Sequence, residues 1–320
     1  MRGDWKLSGG DECALSCYNR TNQNSAVNLA KGGMMMTKKV AIVTGASSGI
    51  GKQIAKNLNR NGMEVYAVAR KVYQMNDLDD LGIHTRHLDV SDYDEIDRVV
   101  DEIAQETGRI DVLVNNAGLG VFGPAEEVNL AAGEYEFKVN VFGLMKMIQA
   151  VLPYMRQQHS GRIINMSSID GKIYNLLGSW YVGAKYAVEG ISNALRLELK
   201  PFGIDVIVIE PGAIRSAWKD TATGQMVAQA ANGPYAKLAR KSADFFTLSY
   251  KFASEPRVVA RMVDRAAFSR RPKTRYVGGA GAKPILALHA VLPDKCFDAF
   301  LDSLNVLAQR VLNRQTAFNR

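Results

Sequence analysis

Tyr181 and Lys185 stand four residues apart in the stretch Tyr181-Val182-Gly183-Ala184-Lys185, inside a segment that reads as helix. At that spacing a phenol and an ammonium share one helix face, one turn apart. A free tyrosine has a pKa near 10 and is a poor acid or base at neutral pH, but a fixed cation beside it stabilises the phenolate. Lowering the pKa by about 2–3 units takes roughly 3–4 kcal/mol, within reach of a cation in a dry site. The same spacing also suits an ordinary surface pair. The elements around it decide.

Thr44-Gly45-Ala46-Ser47-Ser48-Gly49-Ile50-Gly51 follows the apolar run Val40-Ala41-Ile42-Val43 and precedes Ile50, Ile54 and Leu58 at helical spacing. Gly45 permits a tight turn, Gly49 lets a pyrophosphate approach the backbone, and Gly51 lets helix and strand pack closely. The helix N-terminus then offers free N–H groups and a positive dipole end to phosphate. The next strand, Val65–Ala69, ends in Arg70-Lys71, two cations and no acid. That choice favours the 2′-phosphate of NADP over the free ribose of NAD. Asp89-Val90 is placed to frame an adenine. Asn116, Ala117 and Gly118 close the fourth strand, where the amides can tie strand ends together and the small residues admit a cofactor. Ser168 ends the fifth strand thirteen residues before Tyr181, and Asn140 sits among apolar neighbours in the helix between.

These residues need a scaffold, and the chain alternates strands with helices to supply one. Helices are expected at about 92–107, 134–157 and 179–200. Strands are expected at Val112–Val114, Arg162–Met166 and Val206–Ile209. This rhythm predicts an α/β fold, a doubly wound parallel sheet of Rossmann type with its ligand at the carboxyl ends of the strands. We expect a leader over residues 1–36, a dinucleotide-binding catalytic domain over 37–280 and a C-terminal helical extension over 281–320. Within the domain, 212–255 reads as a helical lid. Phe297, Phe300, Leu301, Leu304, Val311 and Leu312 mark an amphipathic C-terminal helix.

The ordered set Thr44-Gly45-x-x-x-Gly49-x-Gly51, Asn115-Asn116-Ala117-Gly118, Asn140, Ser168, Tyr181-x-x-x-Lys185 and Pro211-Gly212 resembles the short-chain dehydrogenase/reductase family over about 38–280. The segments Asn115–Gly123 and Leu195–Gly212 are most similar to its hydroxysteroid- and retinol-dehydrogenase-like branch. The resemblance implies that Tyr181 is the general acid/base and that Ser168 positions the substrate oxygen. Lys185 would hold the nicotinamide ribose and lower the Tyr181 pKa, and Asn140 would hold a water leading from Lys185 to solvent. Gly45, Ser47–Gly51, Arg70, Lys71, Asp89, Val90, Asn116–Gly118, Pro211 and Gly212 would bind the cofactor. Ser216 would stand where many relatives place a threonine. The resemblance also implies a homo-oligomer. No metal is expected.

The substrate pocket is expected to be apolar, walled by Leu119, Val121, Phe122, Tyr174, Leu176, Leu177, Trp180, Ile214 and Trp218, with Lys172 and Arg215 nearby. That favours a lipophilic ketone or alcohol. A small polar carbonyl, or a non-catalytic NADP-sensing scaffold on the same fold, are the rival readings. The intact tyrosine and lysine argue against the scaffold, and the four-residue spacing argues against an enoyl reductase.

The 320 residues are 47% hydrophobic and 22% charged, ordinary for a globular enzyme. Three cysteines make neither a disulfide framework nor a zinc site, so a cytoplasmic setting is expected. The formal charge of +8 lies at the C-terminal end, where residues 251–320 carry thirteen Lys/Arg against five Asp/Glu. Arg257, Arg261 and Arg265 form a helical ridge, followed by Arg270, Arg271, Lys273 and Arg275. Such a ridge suits solvent or weak contact with an acidic membrane surface. Without interleaved aromatics it does not suit nucleic acid.

Overall fold

In the computed structural model, β1 (Val40–Thr44) is buried along its whole length, as a strand covered on both faces by helices must be. The structure describes residues 38–318 except 217 and 232, so the leader expected over 1–36 lies outside the described residues. Six more strands join β1: β2 (Glu64–Ala69), β3 (His84–His87), β4 (Val112–Asn115), β5 (Gly161–Met166), β6 (Ile204–Pro211) and β7 (Arg275–Gly278). Their order is β3-β2-β1-β4-β5-β6-β7 and every pairing is parallel. The chain runs outward from β1 in one direction and then from β4 in the other. The switch between them opens a crevice at the carboxyl ends of β1 and β4.

On one face, α1 (Gly49–Arg60) and α8 (Arg257–Phe268) bury Ile54, Leu58, Val259 and Val263 against the sheet. On the other lie α2 (Tyr93–Thr107), α3 (Leu130–Phe137), α4 (Leu144–Gln157) and α5 (Ser179–Glu198), with Ile103, Met147, Ile148 and Val188 in the core. Asp92 caps α2 by accepting from the Glu95 amide, and Gly108 ends it in the left-handed region. The helix expected at 134–157 is two helices joined by a π-turn over Lys138–Gly143. A side chain at Gly143 would run into the Val90 carbonyl, so the turn passes close under the end of β3.

The segment expected to form a lid is mostly helical: α6 (Trp218–Gln229) and α7 (Ala236–Tyr250) bury Met226 and Phe246 with Phe122 and Leu177 in a third cluster. α9 (Ala282–Val291) and α10 (Asp294–Phe318) complete the fold, with Phe297 fully buried. No described helix is long and apolar enough to cross a membrane.

Arg257, Arg261 and Arg265 form the exposed ridge of α8 as expected. Arg275 does not belong to it. As part of β7 it points between Glu189 and Glu210, at 3.0 Å from each, and Lys172 lies 3.2 Å from Glu189. Two buried carboxylates side by side need those cations.

Candidate active site

A cleft of about 660 Å³ opens at the carboxyl ends of the strands. Its floor begins at the glycine turn. Gly45 and Gly49 have φ of +66° and +54°, and a Cβ on Gly45 would stand 2.8 Å from the Ala117 Cα. A Cβ on Gly51 would strike the Asn116 amide and the Gly45 carbonyl, whereas open space lies over Gly49. Ser48 makes no side-chain cap bond to α1, which leaves the first-turn amides to an anion. These features fit a dinucleotide pyrophosphate.

Thr44 positions the adjoining wall. Its hydroxyl oxygen accepts from the Asn116 amide at 3.0 Å and the Ala117 amide at 2.9 Å, and Asn116 Nδ2 donates back to the Thr44 carbonyl at 2.9 Å. Asn115 Nδ2 donates to Asn165 Oδ1 at 3.0 Å, and Asn165 Nδ2 donates to the Ser192 hydroxyl at 3.0 Å. A polar seam thus ties β4 to β5 and α5, and β5 and α5 carry Ser168 and Tyr181. As the sequence predicts, amides hold these strand ends together. Thr44, Asn165 and Ser192 are additions to the expected set.

Tyr181 and Lys185 enter the cleft from α5, and Ser168 from the end of β5. Lys185 Nζ donates to the Met166 carbonyl at 2.9 Å and lies 5.6 Å from the Tyr181 ring centre. Burial brings the Lys185 pKa down to about 8 against the pull of Glu136, Asp170 and Glu189. Burial and then the Asp170 carboxylate push the Tyr181 phenol above its ordinary value, while the Ser168 hydroxyl pulls it down. Lys185 is not among these influences. The ammonium is turned onto a carbonyl, and a carboxylate shares the tyrosine's surroundings.

Asn140 lies outside the cleft lining, on the π-turn. It clamps Leu119 from both sides, accepting from its amide at 2.9 Å and donating to its carbonyl at 2.7 Å. Asn140 Nδ2 also donates to Glu136 at 3.1 Å, and Glu136 accepts from the Val121 amide at 3.0 Å. Glu136 is fully buried, which raises its pKa to about 7. The sequence reading missed it, although its place four residues before Asn140 on one helix face was the available signal.

Ser48, Gly49, Ile50, Gly51, Asn116, Gly118, Pro211, Gly212 and Ser216 line the cleft. Gly45, Ser47 and Ala117 do not, although Gly45 and Ala117 pack against one another beneath it. Arg70, Lys71, Asp89 and Val90 stand beyond it at the ends of β2 and β3, with Arg70 donating to the Tyr135 hydroxyl at 2.9 Å and lying 3.9 Å from Asp89. Of the expected walls, Leu119, Tyr174, Ile214 and Trp218 face the cleft, joined by Phe245, Phe246, Tyr250, Ile285 and Leu301.

Trp180 packs instead on Phe137, their ring centres 6.1 Å apart, and covers Gly133. Val121, Leu176 and Leu177 also fall outside the lining. Phe122 supports the wall from behind, its ring 5.4 Å from Tyr181 and 5.1 Å from Trp218. Leu177 holds a φ of +63°, a strained backbone for a branched residue, with its carbonyl accepting from the Gly123 amide at 2.8 Å. Lys172 and Arg215 are spent on Glu189 and Glu255, not on a substrate.

Comparison with known proteins agrees with this arrangement. The family model for short chain dehydrogenase matches residues 39–226. A Helicobacter pylori protein named probable short-chain type dehydrogenase/reductase VdlC is 34% identical over 81% of this chain and 95% of its own. A 3-ketodihydrosphingosine reductase of Bacteroides thetaiotaomicron is 38% identical over 58% of this chain and 67% of its own. A metagenomic short-chain oxidoreductase solved in complex with NADP superposes with a TM-score of 0.60 at 27% identity, over 75% of this chain and 96% of that one. The seven-stranded parallel sheet, the glycine turn and these matches together establish that the chain belongs to the short chain dehydrogenase family.

Proposed function

We propose that this oxidoreductase interconverts a lipophilic ketone or aldehyde and its alcohol with NADP(H), using Tyr181 as general acid/base. The observation that carries the reading is that Tyr181, Ser168 and Lys185 share one cleft with the glycine turn Ser48–Gly51. Bound NADPH supplies the hydride. Tyr181 donates the proton to the substrate oxygen, and Ser168 donates a second hydrogen bond to that oxygen as negative charge develops. Lys185 holds the ribose and, through its ammonium, favours the phenolate that remains. Asn140 keeps the Leu119 backbone against the cleft.

Arg70 and Lys71, exposed at the end of β2, support a 2′-phosphate over a free ribose. The NADP complex of the metagenomic relative is in line with that preference. The apolar walls support a lipophilic substrate, as does the name of the Bacteroides relative. Trp218, Phe246 and Tyr250 belong to α6 and α7, which we take as the lid. A homo-oligomer and a weak contact of the exposed α8 ridge with acidic membrane are consistent with this reading. Oxidation of NADPH, followed by absorbance with a panel of long-chain, aromatic and small polar ketones, tests it. Turnover that rises with the length of the apolar tail is expected, and turnover confined to small polar carbonyls would refute the lipophilic assignment.

A further inference from the structure

The two C-terminal helices have no part in the reading above, yet both reach the cleft. Ile285 of α9 and Leu301 of α10 line it, alongside Tyr174 and Phe245. Both lie beyond residues 39–226, which the family model matches. A turn that glycine makes readily brings the chain there: Gly279 and Gly281 have φ of +97° and +72°, and β7 leads through them into α9. Backbone bonds tie this turn to the end of β6. The Gly212 amide donates to the Gly278 carbonyl at 2.8 Å, and the Ala213 amide to the Ala280 carbonyl at 3.3 Å.

α10 is pinned on either side of Leu301. Three residues before it, Asp298 accepts a hydrogen bond from the Tyr174 hydroxyl at 2.9 Å. One residue after it, Asp302 pairs with Lys241 of the lid helix α7. The fully buried Phe297 meets the Tyr174 ring edge-on at 5.5 Å and the His289 ring of α9 at 4.7 Å. Phe297 and Leu301 are four residues apart, so one face of α10 turns both inward. Leu301 is therefore held over the cleft where α10 bridges Tyr174 and the lid.

We propose that Leu301, with Ile285, forms the end wall of the cleft and sets the length of apolar tail the enzyme accepts. The substrate is then a ketone or alcohol whose tail is bounded. The inference rests on the reading of the cleft as a carbonyl/alcohol site. Ser168 and Tyr181, from the end of β5 and from α5, mark the reacting end. Ile285 and Leu301 come from helices that pack on Tyr174 and α7, so they meet the tail and not the oxygen. Each carbon added to a tail short of the wall buries more apolar surface. A tail that overruns the wall must displace a helix held at Tyr174, at Lys241 and through the Gly279–Gly281 turn, and packed interiors yield little. One methylene too many or too few in such a pocket changes kcat/KM about tenfold or more.

The test follows NADPH oxidation with alkan-2-ones from hexan-2-one to hexadecan-2-one in wild type, Leu301→Ala, Leu301→Trp, Ile285→Ala and Leu304→Ala. Leu304 lies on the same helix but outside the lining. In wild type, kcat/KM is expected to climb with length and then to drop about tenfold or more past one length. Leu301→Ala and Ile285→Ala should move the drop to longer ketones and Leu301→Trp to shorter ones, while Leu304→Ala leaves it in place. A drop at the same length in wild type and in the Leu301 and Ile285 variants would overturn the inference. So would a climb without a drop in wild type. A shift in Leu304→Ala as large as that in Leu301→Ala would also overturn it, because loosening of α10 alone would then explain both. Absence of turnover for every ketone in wild type would count against the carbonyl/alcohol reading. The affinities of the matching alkan-2-ols, measured by titration calorimetry with NADP bound, would then decide: a length limit that moves in the Leu301 variants supports the wall, and one that stays refutes it.

Discussion

Lys185 Nζ lies 5.6 Å from the centre of the Tyr181 ring and is held there by its hydrogen bond to the Met166 carbonyl. The pair is thus set by β5 as much as by α5. The carbonyl that anchors the ammonium closes the strand that carries Ser168. A change at the end of β5 is felt at both proton-handling groups.

The first consequence is a pH profile. Lys185 titrates at about 8 because burial disfavours its charged form. It is an ammonium below that value and neutral above it. The kcat/KM for ketone reduction should therefore fall as pH rises through about 8, since this parameter reports groups of the free enzyme. Lys185→Met should remove the break and lower the plateau by about 10²-fold or more. A break that persists unchanged in Lys185→Met would assign it to another group.

Arg70 offers a second test. Its guanidinium is exposed and bonded to the Tyr135 hydroxyl, with Asp89 3.9 Å away. A charged hydrogen bond to phosphate contributes about 1.5–3 kcal/mol. Arg70→Ala should raise the KM for NADPH about 10- to 100-fold and leave that for NADH nearly unchanged. Equal effects on the two cofactors would refute the role.

Glu136 links the site to stability. Burial raises its pKa from 4.5 to about 7, so the folded protein binds a proton that the unfolded chain releases. Stability from this group is complete below about 4.5 and is lost as pH rises to about 7, by about 3 kcal/mol at most. Asp170 and Glu210, raised to about 6 and about 7, slope the same way. Urea melts from pH 4.5 to 7.5 should show stability falling, and Glu136→Gln should flatten that fall. An unchanged slope in the variant would mean that Glu136 does not titrate in this range.

Much of this was legible because the chemistry uses local spacing. The glycine turn, the Asn116–Gly118 strand end and the Tyr181–Lys185 helix pair each depend on residues within a few positions of one another. The strand and helix alternation likewise reports local apolar runs. Long-range contacts were less legible. Arg275 read as part of a basic segment because its partners, Glu189 and Glu210, are far away in sequence. Trp180 read as a pocket wall, but helix rotation turns it onto Gly133 and Phe137. Spacing alone gives neither the burial of Tyr181 nor the influence of the Asp170 carboxylate, two residues past Ser168.

The central claim, that Tyr181 moves the proton, is tested most directly by NADPH oxidation with a long-chain ketone in wild type and Tyr181→Phe. The phenylalanine keeps the ring against Phe122 and Trp218 and removes only the hydroxyl. The account predicts a loss of kcat of about 10²- to 10⁴-fold with NADPH binding retained. A variant within tenfold of wild type would contradict it.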